Sequence, residues 1–228
     1  MNKNKKVKLS MFRVKIFFLI MIIACFVSFS FKWSTYRKIF DANNLIVSGD
    51  VILDKEDYFE IIGGIKGKQI AEINSRKLSK ELERNPYVKA ARVSKHYPNK
   101  LNIDIVEREP IAIINNKKKF LIDSEAVILP NSNAFFESAL IPMLSGFNPA
   151  NDLYPEGNTA LSIKVKEAIK ILDFIQLNFN ELFDEISELT INKDDEFEII
   201  LSEEPTRVIL GKNDIHNKIN ILKKFDEA

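Results

Sequence analysis

The chain has 228 residues, 46% of them apolar, a formal net charge of +1 and one cysteine. That apolar share supports a packed core and excludes global disorder, while the lone Cys25 excludes an intramolecular disulfide and leaves stability to core packing. Residues 1–15 carry six basic residues and no acid, so residues 16–228 hold 27 basic against 32 acidic residues, a net of −5 that argues against nucleic acid as the main partner.

The first element follows that basic tail. Ile16, Phe17, Phe18, Leu19, Ile20, Met21, Ile22, Ile23, Ala24, Cys25, Phe26, Val27, Ser28, Phe29, Ser30 and Phe31 form an uncharged run. As a helix it spans roughly 24 Å, short of a hydrocarbon core of ~30 Å. Met11, Phe12 and Val14 extend it, because Arg13 and Lys15 can snorkel to the headgroups. Trp33 and Tyr36 stand where an aromatic belt belongs. A membrane helix over 16–34 is therefore predicted. Three readings compete for it. A signal anchor with its N-terminus in the cytoplasm fits the six upstream positive charges against Lys32, Arg37 and Lys38 downstream. A cleaved signal peptide needs small residues after the run, and "FSFKWSTYRK" offers none. A lipoprotein signal ending at Cys25 needs a polar tether, and "FVSFSF" follows instead.

Next, "NLIVS" reads as a short strand with Leu45 and Val47 on one face and Gly49-Asp50 as its turn. A helix over about 55–62 is predicted from Asp54 as N-cap, Glu56 and Asp57 in its first turn, a Leu53–Tyr58 staple and Gly63-Gly64 at its end. A second helix is capped by Asn74, stapled by Ile73 and Leu78, striped by Leu78 and Leu82, and stopped by Asn85-Pro86. "VKAARVSKHYPNKLNIDIVE" reads as a hairpin. Alternation changes parity near Ala90-Ala91, which predicts a bulge; Pro98-Asn99 turn the chain, and Leu101, Ile103 and Ile105 form one face of the return strand. The order strand, helix, helix, strand, strand predicts an α+β unit over 40–109 with two helices on one face of a three-stranded sheet.

From Pro110 to the end a second, β-rich domain with flanking helices is predicted. Short strands turn at Asn115-Asn116 and Ser124-Glu125. The stretch "NSNAFFESALIPMLSGFNPANDLYPEGN" shows little periodicity. A helix follows at about 159–177 on a stripe of Val165, Ile169, Leu172 and Gln176. Three strands turn at Lys193-Asp194-Asp195 and Glu203-Glu204-Pro205, and a last helix at about 214–225 aligns Ile215, Ile219 and Leu222.

Catalytic, cofactor and metal chemistry find no support in the residues. The two histidines, His96 and His216, lie in the hairpin and the last helix, and no Cys/His/Asp/Glu cluster has metal-ligand spacing. A triad using His96 stays open, without a nucleophile elbow to support it. "GGIKGK" lacks the phosphate-loop pattern and reads as a helix end and turn. Lys117-Lys118-Lys119 reads as a solvated turn rather than an anion-binding patch.

"NPYVKAARVSKHYPNKLNIDIVEREPIA" resembles the FtsQ/DivIB family of bacterial division proteins in its asparagine-proline-aromatic-valine start, its proline-asparagine turn and its closing Glu107-Arg108-Glu109-Pro110. "NLIVSGDVILDKEDYFEIIGGIKGK" resembles the family's opening strand and first helix. "FLIDSEAVILP", "IPMLSGF" and "RVILGKNDIHNKINILKKF" resemble parts of its second domain. The resemblance implies a POTRA (polypeptide-transport-associated) domain followed by a β domain. It also implies a non-enzymatic, single-pass scaffold in the bacterial cytoplasmic (inner) membrane at the division septum. Implied partners are FtsB/FtsL-like coiled-coil proteins and septal peptidoglycan synthesis enzymes. The family continues past the last helix into a further strand that helps bind FtsB and FtsL, whereas the chain here stops at "KKFDEA". Truncation and a different partner edge both stay open. A sheet edge that accepts another protein's strand is the expected means of binding. Thr206, Arg207, Val208, Ile209 and Leu210 are the candidate docking edge, against the alternative that Val208 and Leu210 simply pack the core. The competing function is a POTRA-bearing transport or outer-membrane assembly factor, for which the chain after Pro110 is short of a transmembrane barrel.

Overall fold

The structure, a computed structural model, describes residues 3–49, 58, 60, 62–116, 118–130, 140–202 and 206–226. It opens with one continuous helix, α1 (Lys3–Tyr36). No glycine or proline interrupts those 34 residues, and the helix begins well before the expected 16 and ends two residues past the expected 34. Its apolar part, Val14–Tyr36, has 23 residues. At 1.5 Å per residue that is about 34 Å, long enough to cross a bilayer. The side chains from Val14 to Phe31 are exposed, Cys25 among them, as a lipid-facing surface requires.

The first domain holds a three-stranded sheet in the order β1-β3-β2, with β1 (Asn44–Ser48), β2 (Val88–His96) and β3 (Lys100–Glu107). β1 runs parallel to β3, pairing Leu45 with Leu101 and Val47 with Ile103. β2 returns antiparallel, and its register slips between Val88 and Ala90, where the change of parity predicted a bulge. Leu101, Ile103 and Ile105 are buried while Val106 is exposed, the half-buried alternation read from the sequence. Helix α2 (Ser75–Leu82) begins where the Asn74 side chain accepts the Lys77 N–H at 3.0 Å, and it buries Leu78 and Leu82. Of the earlier predicted helix, Tyr58, Glu60 and Ile62 are helical; Asp50, Leu53, Asp54, Glu56 and Asp57 lie outside the described residues. Tyr58, Ile62, Ile73 and Leu82 close the core over the sheet. Gly49 has φ +85°, and a Cβ there would lie 1.9 Å from the Ile105 carbonyl oxygen, so the turn after β1 admits no side chain.

The second domain is built on a seven-stranded sheet in the order β10-β9-β8-β7-β4-β5-β6. The strands are β4 (Pro110–Ile114), β5 (Phe120–Asp123), β6 (Ile128–Leu129), β7 (Met143–Ser145), β8 (Ile186–Ile191), β9 (Phe197–Leu201) and β10 (Arg207–Gly211). β7 joins the two halves by pairing parallel with both β4 and β8. Helices α3 (Ile163–Asn178), α4 (Asn180–Glu185) and α5 (Ile215–Asp226) contribute Ile169, Leu172, Phe183 and Ile219 to the main core, with Ile114, Leu144, Leu189 and Ile199 from the sheet.

α3 starts later than the expected 159, at a Ser162 cap whose Oγ accepts the Val165 N–H. Its stripe closes on buried Ile175 rather than Gln176, which is exposed. Both fit helical spacing from Leu172, and the side chain without an amide to desolvate takes the core. β7 and α4 were not predicted. The Lys193-Asp194-Asp195 turn is present, while Glu203-Glu204-Pro205 and Lys117 lie outside the described residues.

Candidate functional site

β10 is the end strand of its sheet, so the candidate residues do stand at an edge. Arg207 pairs with Ile200 and Ile209 with Glu198, and the Leu201 N–H donates to the Thr206 carbonyl at 3.1 Å. In an antiparallel ladder, hydrogen-bonded and non-hydrogen-bonded pairs alternate. Thr206 and Val208 therefore turn their backbone groups to β9. Arg207 and Ile209 turn theirs away, toward the open side. Beyond Ile209 the register slips, and the Leu210 carbonyl accepts Lys218 Nζ of α5 at 2.7 Å. The bulge and this lysine close the far end of the edge.

The side chains divide by face. Leu210 is buried in the main core and Val208 packs against it. Ile209 is 59% exposed on the opposite face. Arg207 Nη1 donates to Glu198 Oε2 at 3.0 Å, and Asn192 Nδ2 donates to Glu198 Oε1 at 2.9 Å. Core packing and edge exposure thus coexist in one strand, because they use different directions from the backbone.

Of the other sheet edges, one is covered by backbone bonds from within the chain and another carries a single side-chain contact. β6 is covered where the Ile128 N–H donates to the Asn158 carbonyl and the Gly157 N–H to the Ile128 carbonyl. On β2, the outward N–H of Ala91 donates to Glu83 Oε1 at 3.2 Å.

The second constellation was not read from the sequence as a site. Asn85-Pro86-Tyr87 and Glu107-Arg108 open and close the hairpin, and they meet: the Arg108 N–H donates to the Tyr87 carbonyl at 2.7 Å. Tyr87 lies on the sheet face opposite the helices, against Ile113, Leu121 and Leu129 of the second domain, and its hydroxyl donates to the Pro130 carbonyl at 2.6 Å. Burial, aided by the Glu156 charge, pushes its phenol above the ordinary tyrosine range. Arg108 Nη1 donates to Asp123 Oδ2 at 2.5 Å and to Glu125 Oε2 at 2.7 Å. Lys89 adds a 3.0 Å contact to Glu125. Hydrogen bonds from Arg108 first, then from Lys89, hold the Glu125 carboxyl below the ordinary glutamate range. Asp123 also accepts the Glu125 and Val127 N–H groups, and Tyr58 donates to Glu107 across the first core. An aspartate ending the apolar run "FLID" was the available signal.

Among the described residues, no group of three or more His, Cys, Asp and Glu stands together to hold a metal. His96 ends β2 on the surface, and His216 packs edge-on against Phe174 with 4.3 Å between ring centres. Lys118 pairs with Glu156 and lies over the Phe120 ring, so this lysine is tethered to the second domain.

Residues 40–108 match the family described as POTRA domain, FtsQ-type, and residues 109–228 match the one described as FtsQ/DivIB, C-terminal related. Cell division protein FtsQ of Syntrophotalea carbinolica is 24% identical over 209 residues, which is 91% of this chain and 71% of that protein. FtsQ of Geotalea daltonii is 23% identical over 82% of this chain and 66% of its own length. FtsQ of Rickettsia bellii is 35% identical over 88 residues, 38% of this chain and 33% of that protein.

Proposed function

The chain belongs to the FtsQ/DivIB family of bacterial cell-division proteins, and from that premise we propose that it is a single-pass membrane scaffold of the divisome. α1 holds it in the cytoplasmic membrane with the basic tail inside. The POTRA and β domains face outward at the septum and gather FtsB/FtsL-like coiled-coil proteins and septal peptidoglycan synthesis enzymes. Its work is binding without turnover: tethering partners to one membrane site raises their effective concentration and fixes their orientation.

One observation carries this reading. At the β10 edge, Arg207 and Ile209 turn their backbone groups away from β9, without a backbone partner among the described residues, beside an exposed isoleucine side chain. Such an edge accepts an extended segment through main-chain hydrogen bonds, with side chains supplying specificity. The edge is short, and the bulge at Leu210 sets one limit on the strand it receives.

The test is recovery of partners from gently solubilised membranes with a tagged chain carrying Ile209→Pro. Its N–H bonds nothing on β9, so the variant is expected to fold while partner recovery falls at least about tenfold, the equivalent of ~1.4 kcal/mol. Arg207→Pro is expected to act the same way. Val208→Pro, whose N–H faces β9, should instead damage the sheet itself. Undiminished recovery of division proteins by a folded Ile209→Pro chain would sink the edge assignment. Recovery of outer-membrane barrels and their chaperones by the unaltered chain would point to transport instead.

A further inference from the structure

The membrane-side end of the POTRA domain has a charge and a shape that partner docking at β10 does not use. A cleft of ≈ 240 Å³ lies between the end of α1 and this domain, lined by Phe31, Ser34, Thr35, Phe40, Ile70 and Tyr97 among others. Tyr97, at the tip of the β2–β3 hairpin, is 63% exposed and lines this cleft across from Phe31, Ser34 and Thr35 of α1, at the level of the aromatic belt. Trp33, Tyr36 and Phe40 are exposed at the same level, and the Arg37 guanidinium lies 5.7 Å from the Trp33 ring centre.

Backbone bonds tie three segments into this one end. The Ile70 N–H donates to the Phe40 carbonyl, the Ala42 N–H to the Lys68 carbonyl, and the Asn44 N–H to the Asn99 carbonyl. Lys95 Nζ donates to the Ala71 carbonyl at 3.2 Å. The segments 32–41, 66–72 and 95–100 together carry Lys32, Arg37, Lys38, Lys66, Lys68, Lys95 and Lys100 against only Asp41 and Glu72, a net of +5. By contrast, residues 109–228 carry 12 basic against 21 acidic residues, a net of −9. Positive charge is concentrated where the chain meets the bilayer and depleted away from it.

We propose that this face is a seat for anionic phospholipid headgroups, with Tyr97 and Phe40 entering the membrane interface and the surrounding lysines and Arg37 on the phosphates. An aromatic side chain with a polar tip suits that depth. A basic surface beside a membrane anchor gains attraction from every lipid charge within a Debye length, about 8 Å at physiological salt. The seat holds the first domain down on the membrane instead of leaving it to pivot about residues 37–39.

The experiment uses the full chain in lipid nanodiscs of phosphatidylcholine, with and without phosphatidylglycerol. Tyr97→Cys, in a Cys25→Ser background, carries a fluorophore, and shallow spin-labelled lipids serve as quenchers. A second probe at Lys212→Cys, in the far domain, reports unseated behaviour. Quenching at position 97 is expected in the anionic discs, weaker in the neutral ones, and reduced by added salt; the far probe should stay unquenched. Neutralising Lys66, Lys68 and Arg37 to glutamine should lower the seated-to-free ratio about fivefold per charge. The salt titration on the probe chain carrying no glutamine changes keeps the test decisive should the glutamine variants misfold. Equal quenching in the two lipid compositions would overturn the proposal, as would none in either. Protection of position 97 only when another division protein is present would overturn it too, in favour of a protein contact.

Discussion

Single residues at the domain junction do more than fill space. Tyr87 belongs to the POTRA hairpin by sequence, but at 7% exposure its ring is buried among second-domain side chains. Its two contributions can be separated. Tyr87→Phe keeps the ring and removes the hydroxyl bond to Pro130, which should lower stability by about 1 kcal/mol. Tyr87→Ala also leaves a cavity against Leu121 and Leu129 and should cost about 3–5 kcal/mol, measured by denaturant unfolding of the full chain in detergent. The Arg108–Glu125 contact gives a pH signature with a definite sign. The Glu125 carboxyl is held below its ordinary range in the folded chain. Its contribution is therefore fully present above the unfolded value and is lost as pH falls through the lowered folded one. Glu125→Gln should flatten the acid side of the stability-versus-pH curve and leave the neutral side unchanged in slope.

Whole elements were legible where local signals agreed. α2 has a side-chain cap, a staple and a stripe, and β3 has an uninterrupted alternation; both lie where the sequence placed them. α3 was found by its stripe, but its start was misplaced because Ser162 is one of several turn-forming residues before it, and only the folded chain shows which one caps. Ser162→Ala should therefore cost about 1 kcal/mol, read as a lowered unfolding midpoint, whereas Thr159→Ala should not reproduce that loss at the helix start. β7 escaped notice because its three residues are too few to show a period and are strand only through β4 and β8 on either side. α4, six residues long, escaped for the same reason of length. The β10 edge was half legible: the turns on either side predicted the strand, while its end position in the sheet depends on pairings across the whole second domain. The junction stayed hidden, since an ion pair between Arg108 and Asp123 depends on the register of β4 against β5, which a turn at Asn115-Asn116 alone does not fix.

At the scale of the molecule, the edge is useful only if its position relative to the membrane is set. β3 ends at Glu107 and β4 begins at Pro110, so two residues, Arg108 and Glu109, carry the chain between domains. A two-residue connection limits distance but leaves torsions about which one domain could swing. The Tyr87 ring and the bonds of Arg108 to Asp123 and Glu125 act on the same joint from both sides. The two domains should then move as one arm, carrying any change at the membrane end directly to β10. Spin labels at Lys80→Cys on α2 and Lys170→Cys on α3, both exposed and placed in a Cys25→Ser chain, measure this directly. One narrow distance distribution is expected. Combining Arg108→Ser with Tyr87→Ser should broaden it while circular dichroism shows that both domains retain their secondary structure. A distribution that stays narrow in that variant would assign the rigidity to the short connection alone and leave the clamp with a role in stability only.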